Sequence, residues 1–125
     1  MTLEQKSLFC GVNEPNDPAN LSDLEKKHLP VIEAPDSVKS GECFEVTVEV
    51  GKLKEHPNEH DHFIQFMDLY ADETFLGRAD FASTKSCPKV TFCVSLHCPA
   101  AELRAYEHCN MHGTWASRKT IRVES

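Results

Sequence analysis

From residue 30 onward the chain repeats one pattern. Short segments carry apolar side chains at every second position, and turn formers separate them. In residues 42–50, Phe44, Val46, Val48 and Val50 share one parity, while Glu45, Thr47 and Glu49 share the other. A strand repeats every two residues and a helix about every 3.6, so such a segment buries a single face only as a strand. The same pattern predicts strands over 63–70, which is more apolar and therefore central, and over 74–82. It predicts another over 89–96, with Val90, Phe92, Val94 and Leu96 inward. Two more follow: 101–107, with Ala101, Leu103 and Ala105 on one face, and 118–124, with Ile121 and Val123 inward. Cys43 and Cys93 fall within these segments and are expected to be small core residues. No stretch has the length and period of a long helix. Short strands broken by turns every ~8–12 residues imply an all-β, antiparallel, two-sheet sandwich.

The first 25 residues differ. They are polar and carry Gly11, Asn13, Pro15, Asn16, Asp17, Pro18 and Asn20, which predicts an irregular N-terminal arm over 1–25. One short helical turn is expected at Ser22–Lys27, because Ser22 followed by Glu25 fits a capping box. The remainder, 26–125, is expected to form one domain, since 125 residues suffice for a single core.

Thirteen Lys and Arg against twenty Asp and Glu leave a formal charge of −7, which argues against nucleic acid as a partner. No apolar run approaches the ~20 residues of a membrane span. Met1–Lys6 has neither a basic nor an apolar export region, so a cytoplasmic location is expected. In a reducing compartment the six Cys are better read as free thiols or metal ligands than as a disulfide framework.

Two clusters concentrate the chemistry. His56-Pro57-Asn58-Glu59-His60-Asp61-His62 places three imidazoles in seven residues, in the loop that enters the strand at 63. His56 and His62 can fold toward one point, while His60 is expected to face solvent. Cys109-Asn110-Met111-His112-Gly113-Thr114-Trp115 pairs a thiolate with an imidazole three positions on, in the turn before the last strand. In such a turn backbone N–H groups can point back at the sulfur and tune it. His28 is a further candidate. The chain lacks the multiple-thiolate spacing of a structural zinc site. A copper electron-transfer site of cupredoxin type, the alternative reading, wants a weak axial Met, and the nearby Met111 precedes His112 instead of following it. Four imidazoles and one thiolate suit a redox iron with one open position.

Three pieces of the sequence resemble the superoxide reductases of the neelaredoxin (one-iron) type, which is also the catalytic domain of desulfoferrodoxin. They are Lys27-His28-Leu29-Pro30-Val31-Ile32, His56-Pro57-Asn58 with His62, and Cys109-Asn110-x-His112-Gly113-x-Trp115. The resemblance spans roughly residues 22–124. It implies an immunoglobulin-like sandwich of about seven strands, which matches the strand pattern. It implies one mononuclear iron per chain, cycling between Fe2+ and Fe3+, with His28, His56, His62 and His112 in a plane, Cys109 axial and the sixth position open. The reaction it implies is one-electron reduction of superoxide to hydrogen peroxide without release of dioxygen. Rubredoxin or a similar small carrier would supply the electron, and the assembly would be a homodimer or homotetramer. Lys27 matches the lysine that draws superoxide to the open site. The family usually has a Glu directly before that lysine as a sixth ligand to ferric iron. Here Lys26 occupies that position and Glu25 lies one residue further back. Either the loop bulges and Glu25 still reaches the iron, or the site lacks this ligand; the second is expected. His108 is expected on the strand face opposite Cys109, and His97 on the surface.

Overall fold

The structure, a computed structural model, describes residues 7–100 and 102–125. The hexapeptide read for export and Ala101 lie outside the described residues. In chain order the elements are β1 (Val12–Asn13), α1 (Asp23–His28), β2 (Val31–Glu33), β3 (Ser37–Lys39), β4 (Phe44–Glu49) and β5 (Ile64–Ala71). There follow β6 (Thr74–Asp80), β7 (Lys89–Val94), β8 (Glu102–Cys109), β9 (Gly113–Thr120) and β10 (Arg122–Glu124). One sheet has the order β1-β9-β8-β5-β6 and the other β2-β4-β7, and a separate pair, β10-β3, completes the fold. The long pairings are all antiparallel, while the short β1–β9 and β10–β3 pairings are parallel.

The core lies between the sheets. Val46 and Val48 of β4 and Val94 of β7 pack with Met67 and Leu69 of β5 and with Leu103, Ala105 and Cys109 of β8. The parity read from sequence therefore holds for β4, β7 and β8; β5 is paired on both sides, by β8 and β6, but the middle strand of its sheet is β8. The last predicted strand is longer than the pattern suggested. It begins at Gly113 and is broken at Ile121, which turns into the core.

Cys43 and Cys93 correct the expectation that they are core residues: both are exposed. Cys93 stands opposite Glu45 in the β4–β7 ladder, and Cys43 is two residues from Glu45, so both share its outward face. Cys10, Cys87 and Cys98 are also exposed and unbridged.

In the arm, β1 adds a two-residue edge to β9. The predicted helical turn is α1, capped as expected. The Ser22 hydroxyl accepts from the Glu25 N–H at 3.1 Å, and the Glu25 carboxylate accepts from the Ser22 N–H at 2.8 Å. Among the described residues no helix is long and apolar enough to cross a membrane.

Candidate metal centre

Three segments meet at one end of the sandwich. His28 is the last residue of α1, which ends where Leu29 turns extended before Pro30. His56 and His62 come from the loop between β4 and β5. That loop closes as a tight hairpin, in which the Glu59 N–H donates to the His62 carbonyl at 2.8 Å and the His62 N–H to the Glu59 carbonyl at 3.3 Å. His60 and Asp61 form its exposed tip, so His60 faces solvent as expected. A register shift between Ile64 and Phe66 lies just beyond, and such bulges re-aim the adjoining chain. Cys109 ends β8, and His112 lies in the short turn to β9. Gly113 closes that turn at φ +82°, and a Cβ there would collide with the Leu8 carbonyl.

The four imidazoles form a closed cycle. Ring centroids are 4.7 Å apart for His28–His56, 4.8 Å for His56–His62, 5.1 Å for His62–His112 and 4.8 Å for His112–His28, with steep angles between successive rings. Donor atoms of His28, His62, Cys109 and His112 all lie within 4.8 Å of one another. His56 Nε2 joins them, 3.2 Å from His28 Nε2 and 3.4 Å from the Cys109 sulfur. His112 approaches that sulfur through Nδ1, at 3.9 Å.

Outer contacts decide which nitrogen faces inward. His28 Nδ1 is 2.8 Å from the Leu24 carbonyl and His56 Nδ1 is 2.6 Å from the Pro57 carbonyl. Each Nδ1–H therefore donates outward and leaves a lone pair on Nε2. His62 Nε2 is buried with no hydrogen-bond partner. A buried imidazole nitrogen without a partner is costly unless something else fills the role, and a metal ion would. Burial holds the His28 and His56 rings down at about 4, with their neighbouring rings adding to the effect, so both are neutral donors at pH 7. Burial pushes the Cys109 thiol up, while the Met111 and His112 backbone N–H groups pull it the other way by bonding the sulfur. A cation beside it would release that proton. The residues present thus fit an iron ion, borderline in softness and served by imidazole and thiolate.

Trp115 and Asn110, both part of the third motif, hold this arrangement without being donors. The indole stacks on His28 at 5.1 Å, and its N–H donates to the His112 carbonyl at 2.9 Å. Asn110 brackets His62: its side-chain oxygen accepts from the Phe63 N–H at 2.9 Å and its amide donates to the Asp61 carbonyl at 2.7 Å. Sequence reasoning missed Glu107, which is fully buried two residues before Cys109 on the same inward face. Neither carboxylate oxygen has a hydrogen-bond partner, and burial raises this carboxyl well above its ordinary value.

Other expectations sort clearly. The Glu25 carboxylate accepts the Ser22 N–H and, at 3.0 Å, the Asn16 N–H, so it caps α1. Lys27 is half-buried beside an open pocket of ≈ 420 Å³ that it lines with Glu55, His56, Pro57, Asn58 and Glu59, and its charge reaches both His56 and His112. His108 turns away from Cys109 and bonds the Thr114 hydroxyl at 2.9 Å, and His97 is exposed. Met111 is 51% exposed, which leaves a copper site without its axial thioether.

A β-sandwich that gathers four imidazoles and one thiolate around one point defines a non-haem metalloprotein of the redox class. Comparison with known proteins agrees. The desulfoferrodoxin family profile matches residues 20–118. A relative in Methanocaldococcus jannaschii is 38% identical over 119 residues, covering 93% of this chain and 97% of that protein. The neelaredoxin of Megalodesulfovibrio gigas is 32% identical over 117 residues, covering 79% and 89%. The solved superoxide reductase (neelaredoxin) from Ignicoccus hospitalis superposes with a TM-score of 0.78 at 36% identity, covering 90% of this chain and 95% of that one. The chain belongs to the desulfoferrodoxin family, as a neelaredoxin-type superoxide reductase: an oxidoreductase that acts on superoxide through an iron site.

Proposed function

We propose that His28, His56, His62 and His112, with Cys109, hold one iron per chain, and that Lys27 serves the open side of that site. The observation that carries this reading is the closed cycle of imidazoles next to the single buried thiol. Iron bound there would supply the one electron that, with two protons, converts superoxide to hydrogen peroxide. The protein's own part is to orient the donors and to keep the buried His28 and His56 neutral. The Leu24 and Pro57 carbonyls hold the His28 and His56 rings, the Trp115 indole holds the His112 carbonyl, and Asn110 brackets the segment that carries His62. Lys27 supplies positive charge at the pocket of a chain whose formal charge is −7, so it attracts the superoxide anion locally. Its ammonium also holds a proton within reach of pocket water, for transfer to the reduced oxygen. Glu25, engaged in the cap, does not close the open side.

The electron donor in this reading is rubredoxin or a similar small carrier, and the chain works as a homodimer or homotetramer. Five exposed, unbridged thiols suit a reducing cytoplasm. Residues 26–125 form the iron-binding domain and 1–25 its arm.

The test is metal content together with the visible spectrum before and after oxidation. One iron per chain and a thiolate-to-iron band on oxidation, lost in Cys109→Ser, are expected. Zinc, no metal, or an oxidised band unchanged in Cys109→Ser would overturn the reading.

A further inference from the structure

A second group of sulfur atoms lies outside the metal centre. Cys43 enters β4 and Cys93 lies in β7, the edge strand of the three-stranded sheet. The ladder pairs Glu45 with Cys93, which places Cys43 diagonally across from Cys93 on the outer face. Diagonal neighbours stand roughly 7–8 Å apart, and somewhat less at Cβ, so closing a disulfide would draw Cys43, which precedes β4 at the end of the ladder, toward β7. Both thiols are exposed, and the Cys43 thiol is near enough to push the Cys93 thiol up. Proximity and exposure together are what a dithiol needs to be oxidised and reduced again by solutes.

We propose that Cys43 and Cys93 form a peroxide-oxidisable dithiol that closes to a disulfide between β4 and β7. The proposal rests on the superoxide reductase reading for its oxidant, because hydrogen peroxide is the product of that reaction. The Cys43 sulfur, as thiolate, attacks one peroxide oxygen. An S–O bond forms, the O–O bond breaks, and the leaving hydroxide takes a proton to become water. The Cys93 sulfur then attacks the Cys43 sulfur. The S–S bond forms, the S–O bond breaks, and a second water leaves with the Cys93 proton. In sum two thiols lose two electrons and two protons, and one peroxide becomes two waters. Desolvation, the Cys43 thiol and Glu45 all push the Cys93 thiol up, which suits Cys93 to the second, resolving attack. The disulfide would tie an edge strand to its neighbour where the ladder ends. Its exposure would let small thiols reverse it.

The experiment adds stoichiometric hydrogen peroxide to the reduced, iron-loaded protein, alkylates the remaining thiols, and measures intact and peptide masses. The expected result is a loss of roughly 2 Da with two fewer alkylated thiols, one linked peptide pair containing Cys43 and Cys93, and restoration of both thiols by dithiothreitol. Cys43→Ser and Cys93→Ser should each abolish the link while keeping the iron absorbance, which shows that the variants fold. The proposal is overturned if Cys43 and Cys93 stay alkylatable after the peroxide is consumed, or if the linkage joins either of them to Cys10, Cys87 or Cys98. Peroxide is added here as a reagent, so a negative result speaks to the dithiol alone. The iron reading stands or falls separately on metal content.

Discussion

Glu25→Ala separates two roles that the sequence left open, helix cap and iron ligand. The carboxylate accepts two backbone N–H groups, from Ser22 at 2.8 Å and Asn16 at 3.0 Å. A hydrogen bond to a charged group is worth about 1.5–3 kcal/mol when its donor is stranded without water. Ser22 and Asn16 are both exposed, however, so water replaces the lost acceptor and the cost falls toward that of a lost cap. That cost is about 1–2 kcal/mol, or roughly 3–8 °C in unfolding midpoint for a chain of this size. The effect has a pH signature. The Ser22 and Asn16 hydrogen bonds hold this carboxyl below its ordinary value of 4.5, against a smaller opposing effect of burial. A group depressed in the folded state stabilises above its unfolded pKa and ceases to as pH falls through the folded one. The stability gap between the native chain and Glu25→Ala should therefore be full at pH 6 and close below pH 4.5. Thermal unfolding of the metal-free proteins measures this without interference from metal release. In the iron-loaded proteins at neutral pH, the oxidised thiolate-to-iron band should be the same in both. A shifted band with an unchanged unfolding midpoint would refute the capping argument and put Glu25 at the iron.

Asn110→Ala removes both bonds that bracket His62 and should weaken metal retention ~10–100-fold, the usual cost of losing an orienting contact. Asn110→Asp keeps the acceptor for the Phe63 N–H and should recover part of that loss in a chelator competition assay. Lys27→Met should slow the reaction with superoxide and flatten its dependence on ionic strength, measured by pulse radiolysis, while leaving iron content unchanged. Glu107→Met exchanges a buried carboxyl with two unpartnered oxygens for an apolar side chain of similar length. It should raise the unfolding midpoint of the metal-free protein, by about 1–3 kcal/mol in stability; a lower midpoint would show that the carboxyl has a buried partner.

The fold was legible where period-two parity was strict, as in β4, β7 and β8. The same parity contained the answers that were missed. Val90, Phe92 and Val94 inward forces Cys93 outward, and Phe44 and Val46 inward forces Cys43 outward, yet the apolar character of cysteine suggested the core. Leu103, Ala105 and Cys109 inward likewise forces Glu107 inward, against the ordinary preference of a carboxyl for water. Residue type was the weaker guide in both cases, because strand geometry leaves a side chain only two directions. The arm behaved differently. A two-residue parallel edge such as β1 has no periodicity to read and exists only because β9 offers it a free edge.

The site shows the complementary limit. Local spacing could suggest that His56 and His62 converge, and that Cys109 and His112 do, because each pair belongs to one loop or one turn. It could not show that α1 would deliver His28 to the same point, since that depends on where the helix ends. The capping box fixes the start of a six-residue helix, and its length places His28 in the last position. Glu25 therefore bears on the metal centre after all, though from a distance. By engaging Ser22 and Asn16 it holds the first turn of α1 in place, and the last turn carries the ring that stacks on Trp115 and faces His56 and His112. Glu25 thus supports, through the first turn of α1, the helix end that carries His28.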